Sequence, residues 1–465
     1  MTASMRFRTA WCLCVLLALL VACSGAQDDT ADAVPTVTTE PSPPGPVRVT
    51  GPVRGGAPQA TAAGPDLATA GYVEEEYFFS GEAARYDQDD PAGDGRWEVT
   101  VAGTAPFTSR LLVRRPVDPA AFSGVVLVEV FNVATGPDAA VSWRYSAEEI
   151  LREGHAWVGV SAQSTGVSGP TGLVRSDPER YGTLEHPGYE YGFDILSAAA
   201  RAVQDPTGPA PLGRLRPTTL LAAGFSQASA FLTDYLNTVH PPAGVFDGFL
   251  VHAPVGASTG PVRTDLDEPT MIFVTETELT VYGYAGARQP DTDSVRTWEV
   301  AGAAHVDTHI VTGDLAGSCG GAINAGPHHQ VLKAALHHLV GWAQDGTPPP
   351  EAPRIEVGED PDTTGVAIRR DEHGNALGGV RTPPVVVPLA ALSGDPIPGS
   401  PGAYCSSFGS TTPFDETTLA ELYPTHQAFV ERYRASLETA VASGFILPPE
   451  ADAMLADAAL STVGI

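Results

Sequence analysis

The chain has 465 residues and a formal net charge of −29, with 43% hydrophobic, 8% aromatic and 17% charged residues. This balance supports a large folded core and excludes a disordered chain. A surface this acidic repels phosphate backbones, so no nucleic-acid partner is expected.

Residues 1–22 carry Arg6 and Arg8, no acid, and then the apolar run Trp11–Ala22. A basic stretch followed by an apolar run too short to span a bilayer is the layout of an export signal. It ends Leu20-Val21-Ala22-Cys23, which resembles a bacterial lipobox and would make Cys23 the lipidated first residue of the mature protein. The alternative is ordinary cleavage beside a chance cysteine. Acyl chains on Cys23 would hold the protein on the extracytoplasmic face of the envelope membrane. No other long apolar run follows, so the remainder is expected to be soluble. Residues 23–45 are rich in Ser, Thr, Pro and acids, which predicts a disordered tether. Of the five cysteines, Cys319 and Cys405 are left after Cys12, Cys14 and Cys23, and they are expected to pair in an oxidising compartment.

Beyond residue 46, strands are predicted at Glu75–Ser80, Trp97–Val101 and Thr108–Val113. Apolar strands then alternate with helices. The strands are Val125–Phe131, Ala156–Ala162, Thr218–Ala223, Phe246–His252, Met271–Thr275 and Val295–Val300. The helices are Ser142–Glu153, Tyr189–Val203, Gln227–Val239 and His328–Gln344, the last stopped by Gly346 and the prolines at 348–350. Near-continuous apolar strands between helices predict a mostly parallel sheet covered on both faces. Residues 46–354 form the predicted α/β core. Residues 355–465 are turn-rich and then helical, about Asp415–Ser443 and Pro449–Ser461, and are expected to dock on that core as a C-terminal extension.

Gly224-Phe225-Ser226-Gln227-Ala228 joins a predicted strand to a predicted helix. A serine on so sharp a turn has a strained backbone, and residues two away must be small. The turn exposes the hydroxyl and points the Gln227 N–H, at a helix N-terminus, toward a developing oxyanion. The bland reading of Ser226 is a helix N-cap. A serine nucleophile needs a base. His305, in Ala301-Gly302-Ala303-Ala304-His305 after the last core strand, is the candidate; otherwise it is a buried structural histidine. The acid is expected after the preceding strand, in Thr275-Glu276-Thr277-Glu278: Glu278 first, Glu276 in reserve. A second oxyanion N–H is expected from Asn132 or Val133, with plain turn chemistry as the rival reading of Asn132. A metal reading uses His305-Val306-Asp307-Thr308-His309 with His328, His329, His337 and His338, but no third cluster has ligand spacing, and Asp307 is better read as a turn residue or a support behind the site. No metal or other cofactor is expected.

These motifs resemble the bacterial family known as alpha/beta hydrolase domain proteins, large secreted or envelope hydrolases. The matching stretches are Gly71-Tyr72 with Glu76-Tyr77, Val128-Glu129-Val130-Phe131-Asn132-Val133, Val160-Ser161-Ala162-Gln163, Asp177-Pro178-Glu179-Arg180-Tyr181-Gly182 and Gly224-Phe225-Ser226-Gln227-Ala228-Ser229. They continue with Trp298–His305, Gly326-Pro327-His328-His329 and Gly374–Pro383, so the resemblance runs from about residue 46 to 465. It implies an α/β-hydrolase fold with Ser226 and His305 in the active site and places the C-terminal extension inside the family's unit. The family pattern after the acid strand is Thr-Glu-Thr-Asp, and this chain has Glu278 in place of the Asp.

The expected function is extracytoplasmic hydrolysis of a small-molecule or lipid-like ester through an acyl-enzyme. Amide cleavage or acyl transfer on the same residues, a non-catalytic binding lipoprotein and a metallohydrolase are the alternatives.

Overall fold

Nine strands make one sheet in the computed structural model of the protein, which describes residues 45–59, 64–88, 93–255, 260–311, 317–359 and 365–464. The predicted signal segment, Cys23 and the predicted tether up to residue 44 lie outside the described residues. In chain order the strands are β1 (Arg48–Thr50), β2 (Tyr72–Gln88), β3 (Val99–Pro116), β4 (Val125–Val130), β5 (Ala156–Val160), β6 (Thr219–Phe225), β7 (Gly248–His252), β8 (Thr270–Thr275) and β9 (Val295–Val300). Their order across the sheet is β1-β2-β3-β5-β4-β6-β7-β8-β9. The six strands from β5 to β9 are parallel, whereas β1, β2, β3 and β5 pair antiparallel.

The predicted apolar strands are buried on both sides because helices cover both faces. Alternate residues of β4 serve opposite cores, as a period of two requires. Val126, Val128 and Val130 join the core made with Ile195, Leu196 and Ala199 of the helix Gly192–Gln204 and Phe231 and Leu232 of the helix Gln227–Thr238. Val125 and Leu127 join the other, with Trp143 and Ile150 of the helix Val141–Arg152 and Leu332, Leu336 and Leu339 of the helix His328–Asp345. Gly346 ends that last helix in the left-handed region at φ 75°, as its position implies.

β2 runs from Tyr72 to Gln88, well beyond the predicted Glu75–Ser80, and two further differences have a clear cause. The predicted strands Trp97–Val101 and Thr108–Val113 are one 18-residue strand, β3, paired along β2 with a register shift at Arg85/Tyr86. The gap holds Gly103 and Pro106, which read as a turn. A bulge absorbs the irregularity, and Pro106 falls where β3 pairs on one side alone, so a missing N–H is tolerated. The predicted helix Asp415–Ser443 is two, Glu416–Leu422 and His426–Ala442, because Pro424 cannot continue a helix.

Residues after 355 share the main cores. Ile355, Ile368, Ala376, Val385 and Leu392 belong to the first, and Leu437, Ile446 and Met454 to the second. Val380 forms a bridge to Val300 at the end of β9, and Cys319 and Cys405 are joined by a disulfide. Among the described residues, no helix is long and apolar enough to cross a membrane.

Candidate active site

The carboxyl ends of the parallel strands share one edge, so the segments following β4, β5, β6, β8 and β9 converge there. That edge is where open α/β sheets bind ligands.

Ser226 follows β6 and precedes the helix Gln227–Thr238. Its backbone, at φ 57° and ψ −119°, lies where a side chain is strained by about 1–3 kcal/mol. The strain is held in place by neighbours. The Ser226 N–H donates to His252 O at 2.9 Å, and Ser226 O accepts from Ser229 N–H at 2.9 Å and Ser229 Oγ at 2.6 Å. A Cβ on Gly224 would overlap the Ala228 carbonyl, standing 2.8 Å from its carbon, so the turn requires glycine there.

His305 follows β9 across the buried residues Ala301–Ala304. Its Nε2 lies 2.9 Å from Ser226 Oγ and its Nδ1 2.5 Å from Glu278 Oε1. An ionised carboxylate can only accept, so Nδ1 carries the proton and Nε2 is left to take the serine hydrogen. The His305 N–H donates to Thr277 Oγ1 at 3.1 Å, and Tyr282 packs edge-on against the ring at 4.9 Å between centroids. Phe225 covers it from another side at 4.6 Å.

Glu278 follows β8, as expected, in the first turn of a short helix, Glu276–Thr280. One carboxylate oxygen reaches His305. The other accepts the Thr275 N–H at 2.5 Å, the reach-back of a glutamate three residues into a helix. A single carboxylate thus serves both the base and the helix N-terminus. Glu276 points elsewhere: Oε1 accepts from Gly302 N–H at 2.6 Å, and Oε2 from Gly394 N–H at 3.1 Å and Arg370 at 3.0 Å.

The loop after β4 corrects one expectation. The Asn132 N–H donates to Ala139 O at 3.0 Å and is not free for an oxyanion. The Asn132 side chain instead braces the elbow, donating to Phe225 O at 2.8 Å. The Val133 N–H donates to Gln227 Oε1 at 3.4 Å, a long bond that an oxyanion would have to displace. Gln227, first in its helix, has a backbone N–H with no partner within that helix.

Several neighbours were missed in the sequence. Gln163, past the end of β5, exchanges hydrogen bonds with Gln227: Gln227 Nε2 to Gln163 Oε1 at 2.6 Å, and Gln163 Nε2 to Gln227 Oε1 at 3.2 Å. A polar residue at the carboxyl end of an apolar strand was the available signal. Thr277, Tyr282 and Arg370 carried none.

Three of the histidines named as possible metal ligands are hydrogen-bonded elsewhere, and His329 stacks on His309 with centroids 3.9 Å apart, its buried Nδ1 without a partner among the described residues. His309 Nε2 meets Arg144 O at 3.0 Å, His338 Nε2 meets Gly444 O at 2.9 Å, and His337 pairs with Glu149 at 3.0 Å. Glu149, Glu153 and His337 come close enough to share an ion, yet Glu149 is already held by Arg152. Burial raises the Asp307 carboxyl to about 7, while Tyr145 and the His309 N–H donate to its Oδ1.

The sequence model of the family described as alpha/beta hydrolase domain matches residues 44–456. No curated protein matches the chain. Among solved structures, an a/b serine hydrolase without lid from Xanthomonas campestris is 14% identical, over 47% of this chain and 84% of its own, with a TM-score of 0.27. The esterase Est22 is also 14% identical, over 50% of this chain and 73% of its own, with a TM-score of 0.27.

Proposed function

The chain belongs to the alpha/beta hydrolase domain family, and on that premise we propose that it is a serine hydrolase acting on carboxylic esters through an acyl-enzyme. One observation carries the reading: Ser226, His305 and Glu278 stand in a hydrogen-bonded line, with 2.9 Å and 2.5 Å between successive partners, on a strained strand-to-helix turn. Ser226 Oγ attacks the carbonyl carbon while His305 Nε2 takes its proton. Glu278 stabilises the imidazolium that forms. The N–H of Gln227 and that of Val133, released from Gln227 Oε1, receive the oxyanion, and His305 returns the proton to the leaving alcohol. Water then repeats the sequence on the acyl-enzyme.

The substrate is a small-molecule or lipid-like ester, and the protein works outside the cytoplasmic membrane, tethered through Cys23. The basic-then-apolar start, the Leu20–Cys23 run and the Cys319–Cys405 disulfide support that location.

The test is a fluorophosphonate probe with p-nitrophenyl esters of rising chain length. The expected result is an adduct on Ser226 and hydrolysis abolished in Ser226→Ala. Hydrolysis that survives in Ser226→Ala and dies with a chelator would replace this reading with a metal-dependent one. Cleavage of anilides in preference to the esters would replace the ester by an amide.

A further inference from the structure

His252 and His328 take no part in those steps, yet both rings are fully buried beside the site. His252 ends β7, and its carbonyl is the acceptor for the Ser226 N–H. Its ring Nε2 lies 2.7 Å from His328 Nε2, and its Nδ1 3.2 Å from Ser142 Oγ. His328 opens the helix His328–Asp345, and its Nδ1 lies 2.9 Å from Ala304 O, the carbonyl immediately before His305.

The acceptors dictate the protons. A carbonyl oxygen cannot donate, so His328 carries hydrogen on Nδ1. A neutral ring then has its lone pair on Nε2, so His252 donates from Nε2 and accepts the Ser142 hydroxyl at Nδ1. Every ring nitrogen is satisfied with both imidazoles neutral. Burial favours that state, holding His328 down to about 3 and His252 well below the usual imidazole range. Two nitrogens sharing a tetrahedral zinc would stand about 3.3 Å apart. The 2.7 Å separation is that of a hydrogen bond.

Packing leaves the pair little freedom. Tyr145 stacks on His328 with centroids 3.9 Å apart and planes 11° off parallel, and Phe225 lies against His252 at 4.8 Å. Gly326, two residues before His328, packs on the Gly302 carbonyl so closely that a Cβ would overlap it.

We infer that His252 and His328 are positioning residues, a neutral two-imidazole strut that holds the base loop at Ala304 against the nucleophile elbow at Ser226. This rests on Ser226 and His305 being nucleophile and base. The strut runs from the Ser226 N–H through the His252 carbonyl and ring to the His328 ring and the Ala304 carbonyl. It thereby sets the Ser226–His305 separation from behind. Without it the Ala304 carbonyl is a buried acceptor with one partner fewer, while His305 keeps its bond to Thr277 and Val306 N–H its bond to Ser407 O at 2.9 Å. The fold persists and the base drifts. A displacement of about 1 Å at reacting groups costs about 10²-fold.

The experiment uses the full-length protein with p-nitrophenyl acetate. His328→Phe keeps a stacked ring and removes both polar contacts; His328→Asn keeps a donor near the Nδ1 position. His328→Phe should lower kcat about 10²-fold with KM nearly unchanged, and His328→Asn should recover most of the loss. If His328→Phe does not fold, His252→Gln, which retains a donor near Nε2, should keep kcat close to wild type where His252→Leu does not. Nitrogen-15 NMR of histidine-labelled wild type should find His328 protonated on Nδ1 and His252 on Nε2, both neutral down to about pH 5. A charged ring at neutral pH, the opposite tautomer on His328, or wild-type kcat in a folded His328→Phe would overturn the strut. If the wild type hydrolyses no ester and takes no fluorophosphonate, the proposed reaction fails, and the tautomers alone then decide whether the strut exists.

Discussion

Glu276 reaches Arg370 across 3.0 Å and so ties the end of β8 to the segment beyond residue 355, while Glu278, two residues on, meets His305. The two acids therefore predict different phenotypes. Gln at 278 would offer an amide N–H to His305 Nδ1 and favour the wrong tautomer, so Glu278→Gln should lower kcat by about 10⁴-fold with little change in folding. Glu276→Gln should leave kcat nearly intact and destabilise by about 1–3 kcal/mol, because a buried acceptor of two N–H groups and an arginine is weakened. Paired kinetics and urea melts of both variants decide it; swapped phenotypes would reassign the acid.

Gly224→Ala tests the elbow without touching a polar group. The added methyl would overlap the Ala228 carbonyl inside a turn that has no slack. Overpacking of this kind costs about 1–3 kcal/mol, and the turn would have to open to relieve it. The expected outcome is a lower melting temperature together with loss of fluorophosphonate labelling at Ser226. Full labelling in the variant would mean that the strained turn is not required.

Asp307 sets a pH dependence of stability. Burial raises its carboxyl from 3.8 to about 7, so the folded state binds this proton more tightly than the unfolded chain. Its contribution is fully present below about pH 4 and is lost as pH rises to about 7. Asp307→Asn resembles the protonated form, and its amide oxygen can still accept from Tyr145 and the His309 N–H. The variant should match wild type near pH 4 and exceed it near pH 8, by no more than about 4 kcal/mol for a shift of this size. Glu129, also raised to about 7 by burial, keeps part of the slope in the variant. Urea denaturation at the two pH values is the measurement, and a wild type that gains on Asp307→Asn as pH rises would contradict it.

The Cys319–Cys405 bond closes a sequence separation of 86 residues, for which the chain-entropy model assigns about 4–5 kcal/mol. It also anchors the turn Ala403–Ser407, whose Ser407 accepts the Val306 N–H beside His305 and meets Tyr282 OH at 2.6 Å. Cys405→Ser should therefore lower the melting temperature and speed proteolysis near this turn. An unchanged melting temperature, or two free thiols on alkylation of the unreduced protein, would count against the bond.

The elbow was legible in the sequence because its physics is local. A strained serine between a strand and a helix needs small residues two places away, and Gly224 and Ala228 stand there. The same locality made the apolar strands, the stop at Gly346 and the short list of pairable cysteines readable. Where adjacent residues could satisfy one pattern in two ways, the tertiary structure decided. Glu276 and Glu278 differ because the chain turns into a helix after Thr275, which rotates one carboxylate toward His305 and the other toward Arg370. Asn132 lost its expected N–H role to a pairing with Ala139, and β3 runs through Pro106 because its partner strand continues. The exchange between Gln163 and Gln227 and the bond between His252 and His328 join residues 64 and 76 positions apart. No period or spacing along a chain records such a contact, because it arises from the packing of the layers.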